Sequence, residues 1–429
     1  MYNYDDRYML TGTMRADGSS RFSKKKWGYF PSIAAAWTVS REKFMQSVTW
    51  ISNMKVRASY GLIGNQGVPE YATLGNMSMT SYDFGTSTNY TGYWAANIAT
   101  PELTWEKSKQ FDLGLDISFF KNRLELSFDY FNKKTTDALL HKSQANYLGG
   151  SKYWINAGEI SNKGFDIALT AHVLESSNFS WTTTLNGSYL KNKVEKLTSE
   201  DPVLYGNSPS PGTVEPSTIV KEGESIGTFY GYKWAGLNAD GLDSYYTKDG
   251  SITTKPQSDD RQVLGCANPD FTLGWNNTVN YKNWEFNAFF NSAFGAQRLN
   301  LVRFAMNSMV GASKFVTDAN YLKEIGKTMP ALNAVGNNNL GNSSKWIENA
   351  NYLRCENISI AYNIARKYTR FADIRVSLSA QNLFTLTGYK GADPSGMSFA
   401  AGNVDMDNGI DMGTYPNPRT FTFDIRFNF

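Results

Sequence analysis

The sequence predicts an all-β fold, an antiparallel transmembrane β-barrel with about twelve spanning strands. Three observations predict it. Apolar and polar residues alternate in many short segments, no apolar run reaches the ~18 residues of a membrane-spanning helix, and short connections alternate with long ones. Of the 429 residues, 41% are hydrophobic and 14% aromatic. Without long apolar runs, such a chain is either a soluble β-rich protein or a barrel that crosses a bilayer with its strands.

The alternation is clearest in the last nine residues. Apolar side chains occupy every second position there: Phe421, Phe423, Ile425, Phe427 and Phe429. A period of two puts the apolar residues on one face of a strand and the polar residues on the other. The same period recurs, with differing regularity, in the segments 4–15, 29–39, 54–62, 111–119, 124–131, 164–173, 179–190, 271–281, 284–294, 357–364 and 374–379.

A soluble β-sandwich also alternates, so two further features favour the barrel. Charged residues such as Asp116, Glu125 and Arg426 lie in the middle of the polar faces, as expected of a water-filled lumen. Aromatic residues collect near the ends of the segments, for example Tyr281 and Trp284. Aromatic girdles at the two membrane interfaces are typical of outer-membrane barrels.

The connections between the segments also favour the barrel, because their lengths alternate. Short turns are predicted at 121–122, 175–178, 282–283 and 366–372, with a moderate one at 41–53. Long polar connections are predicted at 63–103, 132–162, 191–270, 295–356 and 383–419. Outer-membrane barrels have short periplasmic turns and long exterior loops, so the short turns are assigned to the periplasm.

Two segments within the long connections have patterns of their own. The segment 228–237 reads as a strand, but a spanning strand there would reverse the direction of all the strands before it. We therefore expect a strand that does not span, inside the exterior connection 191–270. The segment 302–325 has apolar residues at loose helical spacing, among them Phe304, Met309 and Phe315. It predicts a short helix on the barrel rim.

The composition offers little for catalysis or for nucleic-acid binding. His141 and His172 are the only histidines and lie at no telling spacing, while Cys266 and Cys355 fit no metal or redox motif. We therefore expect no enzyme, no metal and no cofactor, and two unpaired thiols. The net charge of +3 provides no basic excess for binding nucleic acid.

The chain resembles the C-terminal barrel portion of SusC/RagA-type TonB-dependent outer-membrane transporters of Bacteroidota. The resemblance rests on short motifs that follow one another in order along nearly the whole chain. They lie at 15–22, 29–32, 36–37, 56–61, 64–65, 103–106, 114–116, 162–165, 230–232, 268–271, 352–354, 381–385, 393–394 and 415–416.

The resemblance implies a barrel of ~22 strands whose lumen holds an N-terminal plug. It also implies energy from the TonB complex, acting through the plug, and a lid-like SusD-type lipoprotein partner. The ligand would be a glycan or a peptide. Plug, TonB box and signal peptide are not recognisable in the sequence, so residues 1–429 are expected to be the C-terminal part of such a barrel and to form an open arc. The acidic, calcium-like loop of some relatives is reduced at 248–252 to an Asp-Gly turn.

Two groups of residues are candidate sites. Phe429, with Phe427, resembles the terminal aromatic signal that the barrel-assembly machinery reads, and both residues are also expected to contact outer-membrane lipid. Tyr82, Tyr90, Tyr93 and Trp94 lie in the polar connection 63–103. Aromatic faces beside hydroxyl and amide groups suit a sugar. The alternative is that these rings pack the loop or contact the lipoprotein.

The resulting hypothesis is part of an outer-membrane TonB-dependent importer of glycans or peptides that works with a SusD-like lipoprotein. The alternative is a surface-exposed binding or adhesion β-protein of the outer membrane, without active transport. The presence of a plug in the same polypeptide would distinguish the importer from the adhesin.

Overall fold

The structure is a computed structural model. It describes residues 1–85, 89–143, 152–198, 203–205, 216–307, 321–330, 339–396 and 408–429. Most of these residues belong to strands that begin and end within a few residues of a turn or an exterior loop.

The strands are, in chain order, β1 (Tyr2–Tyr4), β2 (Tyr8–Gly18), β3 (Trp27–Thr38), β4 (Ile51–Asn65), β5 (Met77–Asp83), β6 (Asn89–Ala95), β7 (Glu106–Phe119), β8 (Leu124–Thr136), β9 (Leu139–Ser143), β10 (Lys152–Asn156), β11 (Glu159–Glu175), β12 (Phe179–Lys196), β13 (Val203–Tyr205), β14 (Thr218–Lys221), β15 (Thr228–Gly231), β16 (Trp234–Leu237), β17 (Asp243–Tyr246), β18 (Ile252–Thr253), β19 (Gln262–Cys266), β20 (Phe271–Tyr281), β21 (Trp284–Phe294), β22 (Gln297–Asn300), β23 (Ile347–Asn349), β24 (Tyr352–Ile364), β25 (Asp373–Thr387), β26 (Ile410–Asp411) and β27 (Thr420–Asn428).

One antiparallel sheet of thirteen strands, here called the wall, organises the molecule. Its order is β1-β2-β3-β4-β7-β8-β11-β12-β20-β21-β24-β25-β27. Since β1 has only three residues, twelve strands are long, which confirms the predicted number. Strands β1 and β27 are the two edges of this sheet and do not pair with each other. The predicted open arc is therefore confirmed.

The pairing register gives the wall two different faces. Leu115 of β7 lies opposite Phe128 of β8, which lies opposite Ile167 of β11. Directly opposite residues share a face, so these three mark the outward, apolar face. Asp116 and Asp129 follow in sequence and therefore point inward, to the lumen. The apolar residues of the alternating segments thus form the outer surface of the wall, and the polar residues face the lumen.

The tight connections are where the sequence predicts them, all at one end of the wall. Between β7 and β8, the residues Phe120, Lys121 and Asn122 have positive φ angles of 53°, 58° and 64°. Between β20 and β21, Lys282 has a φ of 53°. Such left-handed residues let two adjacent strands reverse over two to four positions. The long connections lie at the opposite end, which is called the exterior end because outer-membrane barrels have their long loops outside the cell.

Within the exterior connections the chain forms several small sheets that are separate from the wall. The segment 228–237 becomes β15 and β16, which belong to two of these sheets. The prediction that it does not span is confirmed.

The wall strands extend further towards the exterior than the alternation indicated. Strand β11 begins at Glu159 and β12 ends at Lys196, whereas the alternation covered only 164–173 and 179–190. The reason is that backbone pairing continues past the apolar band, where the outward positions of the strands are polar. The period of two in hydrophobicity then disappears although the strand does not.

The described helices are short: α1 (Leu301–Met306), α2 (Tyr321–Glu324) and α3 (Arg366–Thr369). A helix in 302–325 is confirmed in part, by α1 and α2, while Met309 and Phe315 lie outside the described residues. Phe304 of α1 is buried. Among the helices described here, none has the length and hydropathy needed to span a membrane.

Exterior loops, rather than the wall, supply the largest hydrophobic core. Its buried residues come from three of the long connections and are Phe229, Ala267, Leu299, Leu301, Phe304, Met329, Trp346 and Ile410. A second core joins the first exterior turn to the connection 63–103 through Phe22, Phe30, Val68, Ala72, Leu103 and Trp105. These two cores hold the exterior loops in place above the wall.

A substitution at Gly164 of β11 tests how closely the wall strands approach each other. A methyl group at this position would clash with the Tyr189 carbonyl oxygen and would lie 2.7 Å from the Phe131 ring. We predict that Gly164→Ala lowers the free energy of unfolding by about 2 kcal/mol, because the backbone oxygen cannot move aside without breaking the ladder. Denaturant unfolding in detergent measures this change.

The matched control is Gly12→Ala in β2, where the added methyl group has no atom within 4 Å. This variant should leave the stability unchanged or raise it slightly. Equal stabilities of the two variants would contradict the close approach at Gly164.

Candidate functional site

The lumen face of the wall carries a charge cluster centred on Arg57 of β4. Its guanidinium donates from Nε to Asp116 Oδ2 (2.7 Å) and from Nη2 to Asp116 Oδ1 (3.0 Å). The same Nη2 donates to Asp129 Oδ2 at 3.1 Å, and Ser127 Oγ donates to Asp116 Oδ1 at 2.8 Å. One arginine thereby ties β4 to β7 and β8.

The reach of Arg57 depends on a glycine. Gly114 lies opposite Arg57 on one side and opposite Asp129 on the other. A Cβ there would lie 2.7 Å from Arg57 Cζ and would clash with Asp129 Oδ1. Glycine therefore leaves the passage through which the guanidinium crosses β7, a use of glycine for close approach rather than for backbone freedom.

Two further carboxylates face the lumen beside this cluster. Asp112 accepts hydrogen bonds from Ser59 Oγ (3.0 Å) and Gln110 Nε2 (2.8 Å). Asp166 lies directly opposite Asp129 and has no hydrogen bond or ion pair within the described part of the chain. Like charges placed directly opposite each other destabilise a sheet. The lumen wall thus presents an unneutralised carboxylate.

Two shallow cavities of about 600 and 450 Å³ lie along this face and share Asp129 and Asp166 in their lining. The first also contains Arg57 and Lys133, whereas the second adds uncharged polar residues such as Asn186 and Ser188 to the two carboxylates. The lumen face can therefore form hydrogen bonds with polar groups along a continuous trough. The sequence pattern indicated these inward charges, but not which of them pair.

A buried ion pair fixes the main exterior core. Lys345 Nζ donates to Asp243 Oδ1 at 2.7 Å, and the two side chains are only 3% and 0% exposed. Trp234 Nε1 donates to the same carboxylate at 2.8 Å. Burial lowers the pKa of Lys345, and the Asp243 carboxylate opposes this effect. A buried pair satisfied in this way holds two distant loops in one arrangement.

A second buried pair fastens the last exterior connection to the wall. Arg354 of β24 donates from Nη2 to Asp393 Oδ1 at 2.6 Å, and Ser395 and Asn417 also donate to this carboxylate. Burial alone would raise the pKa of Asp393, but the bonds from Ser395 and the charge of Arg354 outweigh it and hold the pKa below its usual value. Nearby, Tyr389 OH donates to Asp411 Oδ2 at 2.6 Å.

The aromatic candidates lie on a projecting β-hairpin, β5–β6, in the first long connection. Asn97 anchors its base, because its Oδ1 accepts from Asn76 N (2.6 Å) and its Nδ2 donates to Leu74 O (2.9 Å). Below the base, Arg21 Nη1 donates to Val68 O at 2.7 Å. The hairpin is therefore held at its foot, while its strands pair only with each other.

The hairpin register separates the four predicted ligand-binding residues. Tyr82 lies opposite Tyr90, and Trp94 lies opposite Ser78 on the same face. Tyr93 lies opposite Met79 on the other face. The structure thus places Tyr82, Tyr90 and Trp94 on one face of the hairpin and Tyr93 on the other.

Phe84 completes the aromatic face, although the sequence did not single it out. Its ring makes edge contacts with Tyr82 at a centroid distance of 4.6 Å and with Tyr90 at 5.6 Å. All of these rings are exposed, from 45% for Trp94 to 72% for Phe84. Trp94 is four residues, or about 13 Å, from Tyr90 along the strand, with Gly92 between them. The result is an open saddle between two aromatic walls.

The residues of the predicted assembly signal lie at the last edge of the wall. Phe427 and Phe429 point outward and contact each other and Phe371, with ring centroids 6.3 to 6.4 Å apart. Phe371 belongs to the turn before β25. The role of Phe427 and Phe429 in assembly stays a prediction.

The remaining polar candidates have ordinary structural roles. Asp249 and Gly250 form a turn in which the Thr247 and Ser251 hydroxyls bond to the carboxylate, and these bonds lower the pKa of Asp249 to about 2. In the lumen, His172 Nδ1 lies 3.2 Å from Thr182 Oγ1. Cys266 and Cys355 are free thiols. Among the described residues, no group of His, Cys, Asp or Glu could hold a metal ion.

An open antiparallel wall with an apolar outer face, a charged lumen face and long structured exterior loops defines an outer-membrane β-barrel protein. Residues 1–383 match the family described as TonB dependent receptor-like, beta-barrel. The chain belongs to this family, and the resemblance to its SusC/RagA members is confirmed.

Several relatives match over the whole chain. TonB-dependent receptor P3 of Formosa agariphila is 35% identical over an alignment of 453 positions, which covers 100% of this chain and 44% of the relative. TonB-dependent receptor SusC of Bacteroides thetaiotaomicron is 27% identical over 100% of this chain and 43% of its own length. The chain thus spans less than half the length of these relatives.

The solved structure of the RagAB peptide transporter has the same fold. It matches with a TM-score of 0.85 and 23% identity, over 99% of this chain and 46% of that chain. At this low sequence identity, the match shows that the two chains share a fold and nothing more. Members of the family lie in the outer membrane, and the relatives named here are receptors and transporters, not enzymes.

Arg57 offers a direct test of the lumen cluster. We predict that Arg57→Met lowers the free energy of unfolding by about 1 kcal/mol, because the variant leaves Asp116 and Asp129 without their shared cation. The expected loss of stability is small, because the three side chains are about one third exposed and water weakens their attraction. Thermal or denaturant unfolding in detergent measures it.

Arg426→Met is the matched control, because Arg426 also faces the lumen but has no ion pair among the described residues. Its stability should stay within a few tenths of a kcal/mol of the parent protein. An equal loss in both variants would show that Arg57 acts through general charge and not through the cluster.

Proposed function

We propose that this chain forms the C-terminal part of the barrel of a larger outer-membrane importer, which uses energy from the TonB complex. Family membership, the coverage of less than half of each relative and the two unpaired edges of the wall support this proposal. A bilayer does not tolerate unpaired strand edges. The missing pairing partners would belong to the remainder of the barrel, and an N-terminal plug would fill the lumen.

The imported ligand in this proposal is a glycan or a peptide, and a SusD-like lipoprotein is the partner that delivers it. The name of one solved relative, a peptide transporter, supports the peptide, and the likeness to SusC supports the lipoprotein. Both ligand classes are chains of polar units with some apolar surface. An importer for them needs apolar platforms beside hydrogen-bonding groups at its exterior end.

The aromatic saddle of the β5–β6 hairpin is the observation that carries the proposal. Tyr82, Phe84 and Tyr90 form one wall and Trp94 the other, and the Thr80 and Ser78 side chains lie on the same face. Exposed aromatic rings cost free energy in water unless a ligand or a partner covers them. Ring faces beside hydroxyl groups suit a sugar, and they also suit an extended peptide.

A surface-exposed binding or adhesion protein is the alternative function. It would use the same exterior aromatic face, but it would need neither the TonB complex nor the proton motive force. Energy dependence therefore separates the two functions.

Uptake and binding in cells test both together. Cells that display the full-length protein are incubated with fluorescent oligosaccharides or peptides, with and without an uncoupler. We predict accumulation that the uncoupler abolishes, while surface binding remains. Binding without any energy-dependent accumulation would support the adhesin and contradict the importer.

Substitutions on the hairpin test the saddle. Tyr82→Ala, Tyr90→Ala and Trp94→Ala combined should weaken ligand binding about tenfold or more, because each stacked ring contributes about 0.5–1.5 kcal/mol. Tyr93→Ala, on the opposite face, should change binding less than threefold. Tyr368→Ala controls for the loss of an exposed ring, since Tyr368 is 69% exposed at the other end of the wall. A loss with Tyr93→Ala alone would assign the ligand to the other face.

A role of Phe429 and Phe427 in recognition by the barrel-assembly machinery remains part of the proposal. The exposed edge strand β27 and the ring cluster with Phe371 support it. Deletion of Phe429 from the full-length protein should reduce the amount that reaches the outer membrane, measured by protease accessibility in intact cells. Unchanged assembly would contradict the role.

A further inference from the structure

Lysine side chains gather on the outward face of the wall, just beyond its apolar band. A row of directly opposite residues borders the band across five strands: Leu113, Tyr130, Phe165, Tyr189 and Phe271. On β7 the band continues one outward position further, to Phe111. The rings of Phe165 and Tyr189 are 5.3 Å apart, and those of Tyr189 and Phe271 are 4.9 Å apart. Rows of aromatic rings mark the interface of a barrel with the headgroups of a bilayer.

Two rows of outward positions follow on the exterior side. In the first row, Lys163 lies directly opposite Lys191. In the second row, Lys109 lies directly opposite Lys134, and Lys193 is two strands further along. Each row lies two residues, or about 6.6 Å, beyond the previous one. The ammonium groups therefore begin where the lipid tails end.

Carboxylates neutralise only part of this lysine patch, defined here as Lys109, Lys134, Lys163, Lys191 and Lys193. Lys134 Nζ lies 2.6 Å from Glu159 Oε2, and Lys193 Nζ lies 2.9 Å from Glu195 Oε2. In the part of the chain that the structure describes, Lys109, Lys163 and Lys191 have no carboxylate within ion-pair distance, and all three are exposed. The charge of Lys163 also acts on Glu195, which already pairs with Lys193.

The pairing of like charges is unfavourable as it stands. Lys163 opposite Lys191 destabilises the sheet through repulsion between neighbours. Lys109 also lies opposite a lysine, but Glu159 offsets the charge of that residue, Lys134. An anion bound between the ammonium groups would remove this repulsion. Since the patch continues the lipid-facing surface at the level of the headgroups, the nearest source of anions is the outer leaflet itself.

We propose that the lysine patch binds the phosphate groups of an anionic glycolipid in the outer leaflet, and that Lys109, Lys163 and Lys191 are its main ligands. The acyl chains of this lipid would lie against the aromatic row and the apolar band below it. The site is separate from the lumen trough and from the aromatic saddle, so it does not depend on the proposed transport function.

Lipid binding to the full-length protein in a neutral detergent tests the proposal. Native mass spectrometry compares bound diphosphoryl lipid A with the same lipid after removal of its phosphates. We expect the phosphorylated lipid to bind at least tenfold more tightly. In K109Q/K163Q/K191Q this preference should disappear, whereas K109R/K163R/K191R should retain it, because charge and not the lysine shape is required.

K233Q/K248Q/K255Q is the matched control. It removes three exposed lysines from the segment 233–255 of the exterior connection before β20, none of which belongs to the patch, and should keep the preference. Equal binding of both lipids by the parent protein would overturn the proposal, as would an undiminished preference in K109Q/K163Q/K191Q. If millimolar inorganic phosphate displaced the lipid completely, the site would be one for free phosphate, and the lipid assignment would be wrong.

Discussion

The backbone hydrogen bonds between neighbouring strands are the constraint on which the structure depends. In a bilayer no water can satisfy an N–H or a carbonyl group, so every spanning segment must be paired along its length. The wall meets this condition because each strand from β2 to β27 pairs with the next, and the ladders are broken only by local bulges such as the one at Glu356. Only its two edges lack a partner, and they are where further strands of a larger barrel would pair.

Because strand pairing makes the backbone hydrogen bonds, the side chains can adapt to two environments, lipid on the outward face and water on the lumen face. Outward residues form the apolar band and its aromatic border, while inward residues form pairs such as Arg57 with Asp116 and Asp129. The absence of a side chain at Gly114 is part of this arrangement, because a Cβ there would block the Arg57 guanidinium where it crosses β7. The exterior loops, by contrast, are held by buried ion pairs such as Lys345 with Asp243 and by their own cores.

The sequence predicted the wall well because the period of two reports directly on a surface with lipid on one side and water on the other. It predicted the twelve long strands, the position of the tight turns at one end and the exclusion of the segment 228–237 from the wall. It did not predict the outer ends of β11 and β12, since the outward positions are polar there and no longer alternate with apolar ones, although the strands remain paired. Nor could it separate Tyr93 from Tyr82, Tyr90 and Trp94. That separation depends on the register of the hairpin, which spacing along the chain does not reveal.

The register of the wall strands produces a lysine patch that the overall composition does not reveal. The net charge of +3 suggests a chain without any marked charge, yet the pairing of β7, β8, β11 and β12 collects lysines from distant positions into one patch. In sequence these lysines look like solvated loop residues, because they lie beyond the alternating segments. In the structure they extend the wall past the aromatic row, into the layer where phosphate groups lie in an outer membrane. The proposed phosphate binding follows from the position of these lysines relative to Phe165 and Tyr189, and not from their number.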